Sequence, residues 1–235
     1  MFKYFFIILS LVFLSGCTKT IDANYQSGIN ISNNVLENKK IAVHEFEDLR
    51  AWIDTSDKKS PSFIAQQGVW RFGLSYQGTD YQKISYILQD IFINELQSVS
   101  ADAFSFDKNL PFDYELKGKI INFEFENETG FVTVTSKRHV SLQLTLNDNL
   151  GQPVVYNEIF NEVDRENEGM GILHSTNVKK LLQNQLKKTI THAIEKFNIE
   201  VAKQGVSQVI VSLNGKTINT INNGFIYESY AMTMK

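Results

Sequence analysis

The feature that most constrains the fold is a pair of long helical patterns that flank a run of strand patterns. Apolar residues recur at spacings of three and four over about residues 81–98 and again over about residues 177–203. Such spacing places the apolar side chains on one face of a helix, and that face must be covered. The first stripe comprises Ile84, Ile87, Leu88, Ile91, Phe92, Leu96 and Val99, and the second Val178, Leu181, Leu182, Leu186, Ile190, Ala193, Ile194, Phe197 and Val201. The two helices therefore require a large apolar surface to pack on.

Strand patterns between the helices can supply that surface. Residues 114–125, 132–146 and 154–163 carry alternating patterns separated by turn-forming residues, which indicates a three-stranded antiparallel meander. The apolar positions change parity near Ile120, and a two-residue period changes parity only through a bulge or a bend. We therefore predict a bulge near Ile120.

Two further strands are predicted upstream. Residues 41–46 are predicted to form the first strand, which ends in a turn at residues 47–48. The charged, irregular stretch over residues 49–65 predicts a surface loop. Beyond it, four large side chains alternate with smaller or polar ones, which predicts a strand with one apolar face. These four residues are Trp70, Phe72, Leu74 and Tyr76.

Local signals mark the expected helix ends. Residues 79–82 have the spacing of a capping box, which predicts a helix start near residue 81. A polar loop is expected over residues 164–176, after which Asn177 can cap the second helix. Gly205 is expected to end that helix.

Residues 205–235 differ in character from the rest of the chain. Short alternating runs are separated by an Asn-Gly pair at residues 214–215 and by Asn-Asn-Gly at residues 222–224. Asn-Gly in this setting predicts a hairpin, because a type I′ turn requires positive φ at both central residues. The predicted fold is therefore α+β, with a mixed, mainly antiparallel sheet covered by two helices and a C-terminal β-hairpin or meander extension. We expect this extension to dock on the main sheet or on a partner.

The N-terminus resembles a bacterial lipoprotein signal peptide with its lipobox. Lys3 precedes an apolar run over residues 4–14, and the sequence Leu-Ser-Gly then leads into Cys17. As a helix, residues 4–16 would reach only about 20 Å, against a hydrocarbon core of about 30 Å, so this stretch is too short for a stable span. An ordinary secretory signal with an incidental cysteine is the alternative interpretation.

The resemblance implies that residues 1–16 are removed and that Cys17 carries diacylglycerol and an N-acyl chain, with no other cofactor. Two or three acyl chains hold a protein durably on a bilayer. Thr18 stands where lipoproteins of the inner membrane usually carry Asp, which favours the periplasmic face of the outer membrane by analogy with enteric bacteria. The choice between the inner and the outer membrane stays open at this point.

Composition divides the remaining chain and excludes several functions. Residues 17–38 are polar with no period and predict a flexible tether, followed by a domain over residues 39–204. Without Lys3 the chain has 22 basic and 26 acidic residues, a net charge near −4 that gives no support for nucleic-acid binding. Cys17 is the single cysteine, which excludes disulfides and thiolate metal sites.

Catalytic and metal motifs are absent from the sequence. His44, His139, His174 and His192 are far apart, and no Gly-x-Ser-x-Gly or phosphate-binding glycine loop occurs. We therefore expect a protein that is not an enzyme. Two acidic groups could bind Ca²⁺ or could be solvated loop charges. They are Asp54 with Asp57, and Glu162, Asp164 and Glu166 with Glu168.

Two surfaces are candidates for a partner or a ligand. The lysines of the second helix, Lys179, Lys180, Lys187 and Lys188, could contact anionic head groups or could form a solvated face. Trp70, Phe72 and Tyr76 could line a lipid or peptide groove or could pack a helix against the sheet.

The element order resembles that of small envelope lipoproteins with a TolB amino-terminal-like fold. The resemblance rests on the lipobox, on the motif IAVHEFED at residues 41–48 and on the motif DYELKGKI at residues 113–120, and it covers about residues 39–203. Auxiliary lipoproteins of ABC-type transport systems and YajG-like lipoproteins belong to this group. The resemblance implies a non-catalytic accessory or scaffold subunit of an envelope transport or assembly complex. A periplasmic carrier of a lipid or glycan is the alternative.

Overall fold

The computed structural model is an α+β protein with a mixed six-stranded sheet and two helices. The backbone is described for residues 18–22, 25–50, 63–67, 70–75, 83–129, 133–169, 175–207, 210–213, 216–221 and 225–228. Side chains are described for residues 25–50, 83–124, 135, 137–165 and 183–204. Among the described helices, none is long and apolar enough to cross a membrane.

Twelve strands and two helices follow one another along the described chain. The strands are β1 (Thr18–Asp22), β2 (Lys40–Val43), β3 (Glu47–Asp48), β4 (Phe63–Gln67), β5 (Trp70–Ser75), β6 (Asp102–Ser105), β7 (Tyr114–Thr129), β8 (Thr133–Asp148), β9 (Pro153–Gly169), β10 (Ile210–Leu213), β11 (Lys216–Ile221) and β12 (Phe225–Glu228). The helices are α1 (Ile84–Ser98), between β5 and β6, and α2 (Ser175–Ser207), between β9 and β10.

The main sheet has the strand order β6-β2-β7-β8-β9, with β3 paired to β7 as well. The long strands β7, β8 and β9 pair antiparallel, whereas β2 pairs parallel with both β6 and β7. Ile41, Ala42 and Val43 are at most 1% exposed, because β2 has a neighbour on each edge and is covered on both faces. This continuous apolar run is typical of a parallel strand in a sheet interior.

The two helices pack their predicted stripes into one core. The α1 stripe is buried, as are the described members of the α2 stripe from Leu186 to Val201. From β8, Val140, Leu142, Leu144 and Leu146 face this core, and each is fully buried. The helical periodicity and the alternation on β8 are therefore confirmed.

The bulge in β7 is confirmed as well. The pairing of β7 with β8 shifts register between Ile120 and Asn122. Ile120 and Phe123 are both fully buried, although they have opposite parity. The bulge thus lets both side chains reach the core on either side of the shift.

A close contact between β7 and the chain after β2 requires a glycine. Phe46 is 2% exposed, stacks on Phe92 with ring centroids 5.2 Å apart, and packs directly over Gly118. Three carbons of the Phe46 ring lie within 2.6 Å of the position that a Cβ atom at residue 118 would occupy. Only a residue without a side chain fits at this place in the core.

Several predicted element ends were wrong. Helix α1 begins at Ile84, and its N-cap Lys83 forms no side-chain capping bond; residues 79–82 lie outside the described residues. Helix α2 begins at Ser175, so Asn177 lies inside it, and it continues through Gly205 to Ser207. A glycine costs only about 1 kcal/mol in a helix, and that cost does not by itself end one.

The strands also differ from the predicted ranges. β2 ends at Val43, whereas β3 occupies the predicted turn at residues 47–48. β7 extends through most of the predicted turn at residues 127–130, and β9 extends into the predicted polar loop over residues 164–176. The edge strand β6 was not predicted. Polar residues join these strands because backbone hydrogen bonds to a neighbouring strand do not depend on apolar alternation.

The predicted tether over residues 17–38 was wrong for residues 25–38, which pack on the main core. Leu36 is fully buried and Ile29 is 7% exposed. The Glu95 carboxylate of α1 accepts hydrogen bonds from the backbone N–H groups of Gly28 and Ile29, at 3.0 and 3.3 Å. These two N–H groups bond to a helix side chain and not to the backbone of a neighbouring strand or turn. The segment therefore needs no regular secondary structure there, and its sequence shows no periodic pattern.

Asn198 of α2 forms hydrogen bonds with the same segment at residues 33 and 35. Its Oδ1 accepts from the backbone N–H of Val35 at 2.7 Å, and its Nδ2 donates to the carbonyl of Asn33 at 3.2 Å. Asn34 contacts the C-terminal end of α1, where its side-chain amide donates a hydrogen bond to the carbonyl of the C-cap residue Val99. Residues 25–38 are therefore bonded to both helices.

Two smaller sheets complete the described strands. In the first, β1 pairs parallel with β5, which pairs antiparallel with β4, so the predicted strand at residues 70–76 is observed as β5. In the second, β10, β11 and β12 form an antiparallel meander. The predicted turns at residues 214–215 and 222–224 lie outside the described residues.

Candidate functional site

The structure describes some of the residues singled out from the sequence. Cys17 and Tyr76 lie outside the described residues. Trp70 and Phe72 belong to β5, and Lys179 and Lys180 belong to α2, but their side chains lie outside the described part. The choice between a core role and a groove role for the aromatic strand therefore stays open. Lys187 and Lys188 are described in full.

Lys187 and Lys188 line a groove between α2 and β9. The groove encloses about 320 Å³ and is formed by Asp164, Asn184, Lys187, Lys188, Thr191 and His192. The Lys187 ammonium donates to the backbone carbonyl of Gln26 at 3.3 Å. Lys188 is exposed and forms no ion pair with any residue of the described part. The groove thus presents two ammonium groups beside the Asp164 carboxylate, and neither forms a salt bridge with a residue of the described part.

Ion pairs attach α2 to β9 below this groove. His192 and Glu162 approach to 3.0 Å, and Lys196 and Glu158 approach to 3.4 Å. Glu200 accepts from Lys203 and from Lys196, and these hydrogen bonds lower the pKa of the Glu200 carboxyl. Glu162 is therefore engaged in holding the helix, and the described residues contain no group of three or more potential metal ligands.

A second groove lies on the open face of the sheet, away from the two helices. It encloses about 230 Å³ and is lined by His44, Glu45, Glu47, Lys117, Gly118, Lys119, Gln143, Thr145 and Asn157. Most of these residues carry hydrogen-bonding groups. The groove therefore offers several hydrogen-bonding groups to a polar ligand.

A hydrogen-bond network centred on Glu115 borders this second groove. The Glu115 carboxylate accepts from Lys117 at 2.6 Å and from Asn147 at 2.9 Å, and it contacts His44 Nε2 at 3.1 Å. Burial opposes the charge on Glu115, but these partners outweigh it and lower the pKa of the carboxyl. Burial lowers the pKa of His44 below its ordinary value, and its ring stacks on Phe106 at 3.9 Å between centroids.

The network predicts a pH-dependent stability. Because the folded-state pKa of His44 lies below its unfolded value of about 6.5, the unfolded chain binds this proton more tightly. Stability is retained above that value and falls as the pH drops through the folded pKa. We expect the urea midpoint to fall less between pH 7.5 and 5.5 in His44→Gln than in the wild type. Parallel declines in the two proteins would contradict this.

Strand β9 forms one edge of the main sheet and carries the most prominent exposed apolar row. No other described strand pairs with its outer edge. Tyr156, Ile159 and Val163 are 72%, 58% and 47% exposed. Ile159 and Val163 pair with Gln143 and His139 of β8, which lie on the face away from the helices. The strand is 17 residues long, so its unpaired edge is also long.

This edge was not predicted as a candidate site. A strand was predicted over residues 154–163, but its place at the edge of the sheet depends on pairings between distant strands. The local signal is the alternation of Ile159 and Val163 with Glu158, Phe160 and Glu162. A strand with apolar residues on both faces indicates either an interior position or a contact with a partner.

Comparison with known proteins places the fold. No family model matches the sequence, and no curated protein matches it. The crystal structure of protein XCC0632 from Xanthomonas campestris, of family DUF330, superposes with a TM-score of 0.53 at 11% identity and covers 80% of this chain and 98% of that chain. A match at this identity shows a shared fold and nothing about activity.

Two lipoproteins are also structurally similar, at lower scores. The minor lipoprotein from Acinetobacter baumannii has a TM-score of 0.33 at 9% identity, covering 69% of this chain and 92% of that chain. Lipoprotein B from Nitrosomonas europaea has a TM-score of 0.36 at 9% identity, covering 74% of this chain and 93% of that chain. Similarity at these scores supports no conclusion about function.

Proposed function

We propose that this chain is a lipid-anchored envelope lipoprotein that acts as a non-catalytic accessory or scaffold subunit of a transport or assembly complex. The partner is an envelope protein that adds a strand to the free edge of β9. The proposal is supported by the lipobox that ends at Cys17 and, above all, by the exposed apolar edge of β9.

The anchor supports a location at the membrane surface. The apolar run over residues 4–14 and the small residues before Cys17 are the signals that lipoprotein processing requires. Thr18 favours the outer membrane, with the domain on its periplasmic face. A lipid-anchored chain in that position meets other envelope proteins along the bilayer plane.

The edge of β9 supports strand addition as the mode of contact. An unpaired strand edge presents free backbone N–H and C=O groups, and proteins usually protect such edges with charged residues, above all lysine, with proline, with bulges or with short strands. After Pro153, β9 contains neither lysine nor proline, and its charged residues are concentrated from Glu162 to Glu168, so that Glu158 is the one charge beside Tyr156 and Ile159. A partner strand would gain backbone hydrogen bonds there, while Ile159 and Val163 would supply apolar contacts beside it.

The proposal can be tested by introducing two lysines on this edge. We expect Ile159→Lys with Val163→Lys to abolish recovery of the partner in a crosslinked pull-down from membranes. Both side chains are about half exposed, so folding should change by less than about 1 kcal/mol. Ile199→Lys is the matched control, because Ile199 is 51% exposed on α2. Full recovery with the β9 variant, or equal loss with the control, would refute the role of this edge.

A carrier function is the second candidate, favoured by the polar groove on the open face. Gln143, Thr145 and Asn157 offer amide and hydroxyl groups of the kind that bind sugar hydroxyls. Between the sheet and α2, by contrast, Leu186, Ile190 and Phe197 are at most 1% exposed, which leaves no space for an acyl chain among them. A glycan released from the purified protein, with no protein partner recovered, would favour this function.

A further inference from the structure

Helix α2 has an uneven distribution of charge along its length. From Ser175 to Ile194 the sequence contains four lysines and no acidic residue, whereas the last part of the helix alternates Glu195, Lys196, Glu200 and Lys203. In the second half Lys196 and Lys203 both pair with Glu200, and Lys196 also pairs with Glu158 of β9. The first half therefore carries a net positive charge that the helix itself does not compensate.

The N-terminal segment runs along α2 in a defined direction. Val35 is bonded to Asn198, whereas Gln26 is bonded to Lys187. Lys187 and Asn198 are eleven positions apart on the helix, which corresponds to about 16 Å along its axis. Followed back towards Cys17, the segment thus approaches the lysine-rich first half of α2.

The distance from this contact to the anchor is short. Gln26 follows Cys17 by nine positions, which limits the span to about 30 Å when the chain is fully extended. Strand β1, which begins one residue after Cys17, also contacts α2. The anchor position is therefore confined to the neighbourhood of this helix.

We infer that the first half of α2 faces the bilayer and that Lys187 and Lys188 bind the headgroups of anionic phospholipids in the leaflet that holds the anchor. The inference rests on the proposed lipidation of Cys17. Among the described residues, Asp164 is the one carboxylate that lines the groove between α2 and β9, so two ammonium groups face one described acid there. Lysines near an anionic surface each strengthen binding about fivefold, or about thirtyfold for the pair.

The single cysteine makes the orientation measurable. The acylated protein, purified from membranes, carries no free thiol, so Asn184→Cys adds one label site in the groove. Asn109→Cys is the control, because Asn109 is exposed in the loop after β6, at the opposite edge of the sheet from β9. In phosphatidylcholine vesicles with about a third phosphatidylglycerol, a headgroup quencher should quench the label at residue 184 and not at residue 109. Equal quenching at both sites overturns the inference.

Charge removal tests the role of the lysines. Lys187→Gln with Lys188→Gln should shift the equilibrium away from the headgroup-bound orientation about thirtyfold and remove the effect of phosphatidylglycerol on the label at residue 184. Lys196→Gln with Lys203→Gln removes the same charge from the other half of α2 and should leave the quenching unchanged. The same loss in both variants overturns a specific contact.

Detecting the acyl groups on Cys17 distinguishes failure of the proposed lipid anchor from failure of the proposed membrane-facing helix. Mass spectrometry of the N-terminal peptide reports whether Cys17 carries fatty acids. An acylated protein whose residue 184 is not quenched retains the proposed anchor and overturns the membrane-facing helix. A protein without acyl groups overturns both.

Discussion

Adding one methyl group at Gly118 is expected to lower the free energy of unfolding by about 3 kcal/mol. Glycine to alanine within a strand ordinarily stabilises a protein, because alanine loses less backbone entropy on folding. Here the added Cβ would overlap three ring carbons of Phe46. Phe46 cannot turn aside freely, because it is buried and stacked on Phe92. Thermal unfolding should show a midpoint lower by about 6–12 °C.

A double-mutant cycle identifies the cause of this loss. Phe46→Ala removes the ring and should itself cost about 3–5 kcal/mol. In that background, Gly118→Ala should cost nothing or should stabilise, because the overlapping atoms are gone. If Gly118→Ala costs the same in both backgrounds, the contact with Phe46 is not the reason for the glycine.

Glu95→Ala is expected to release the N-terminal segment and to cost about 3 kcal/mol. Glu95 is fully buried, and its Oε2 accepts from Gly28, Ile29 and the hydroxyl of Ser98. Removing this acceptor leaves the backbone N–H of the buried Ile29 without a partner, at about 1–3 kcal/mol, whereas Gly28 is exposed and its N–H can bond to water. Hydrogen exchange followed by mass spectrometry should show faster exchange in residues 25–38, while β7 and β8 remain protected.

Glu95→Gln is the matched control for shape. Glutamine keeps one oxygen that can accept from Gly28 and Ile29, so the loss of stability should be clearly smaller than with alanine. Unchanged exchange of Gly28 and Ile29 in Glu95→Ala would contradict the assignment of Glu95 as the residue that holds the segment.

Much of the fold was predictable from the sequence because its signals are periodic. The stripes of both helices and the apolar face of β8 repeat at the spacing of their own element, and the parity change at Ile120 marks a bulge. These signals are local, and each depends on residues a few positions apart. The α+β class followed from their order along the chain.

The remainder depends on contacts between distant parts of the chain. Gln89 lies outside the apolar stripe of α1, yet it is 9% exposed and donates to the carbonyl of Val43 at 2.8 Å. Arg138 interrupts the apolar pattern of β8 but is fully buried on the core-facing side. The polarity of both side chains predicts that they are exposed. Arg138 is buried because the alternation of β8 turns it towards the core, and Gln89 is buried because it contacts β2.

The candidate site also has one part that could be predicted from the sequence and one part that could not. Lys187 and Lys188 could be predicted as a surface from helical spacing, but their proximity to Gln26 required the structure. The free edge of β9 could not be predicted, because strand order is set by pairings with β7 and β8 and by the place of β2. Sequence periodicity gives the faces of an element, and only the folded chain gives its neighbours.

The docked N-terminal segment also sets an order of events in time. Its bonds to Asn198 join residues 163 and 165 positions apart, so they cannot form until most of the chain has been synthesised. Hairpins such as β7 with β8 close over short loops and can form much earlier. Until then residues 33–35 cannot dock on α2, although the bonds of Gly28 and Ile29 to Glu95 of α1 join residues only 67 and 66 positions apart and can form earlier. The proposed cleavage and acylation at Cys17 could take place during this interval, before the segment docks on the finished domain.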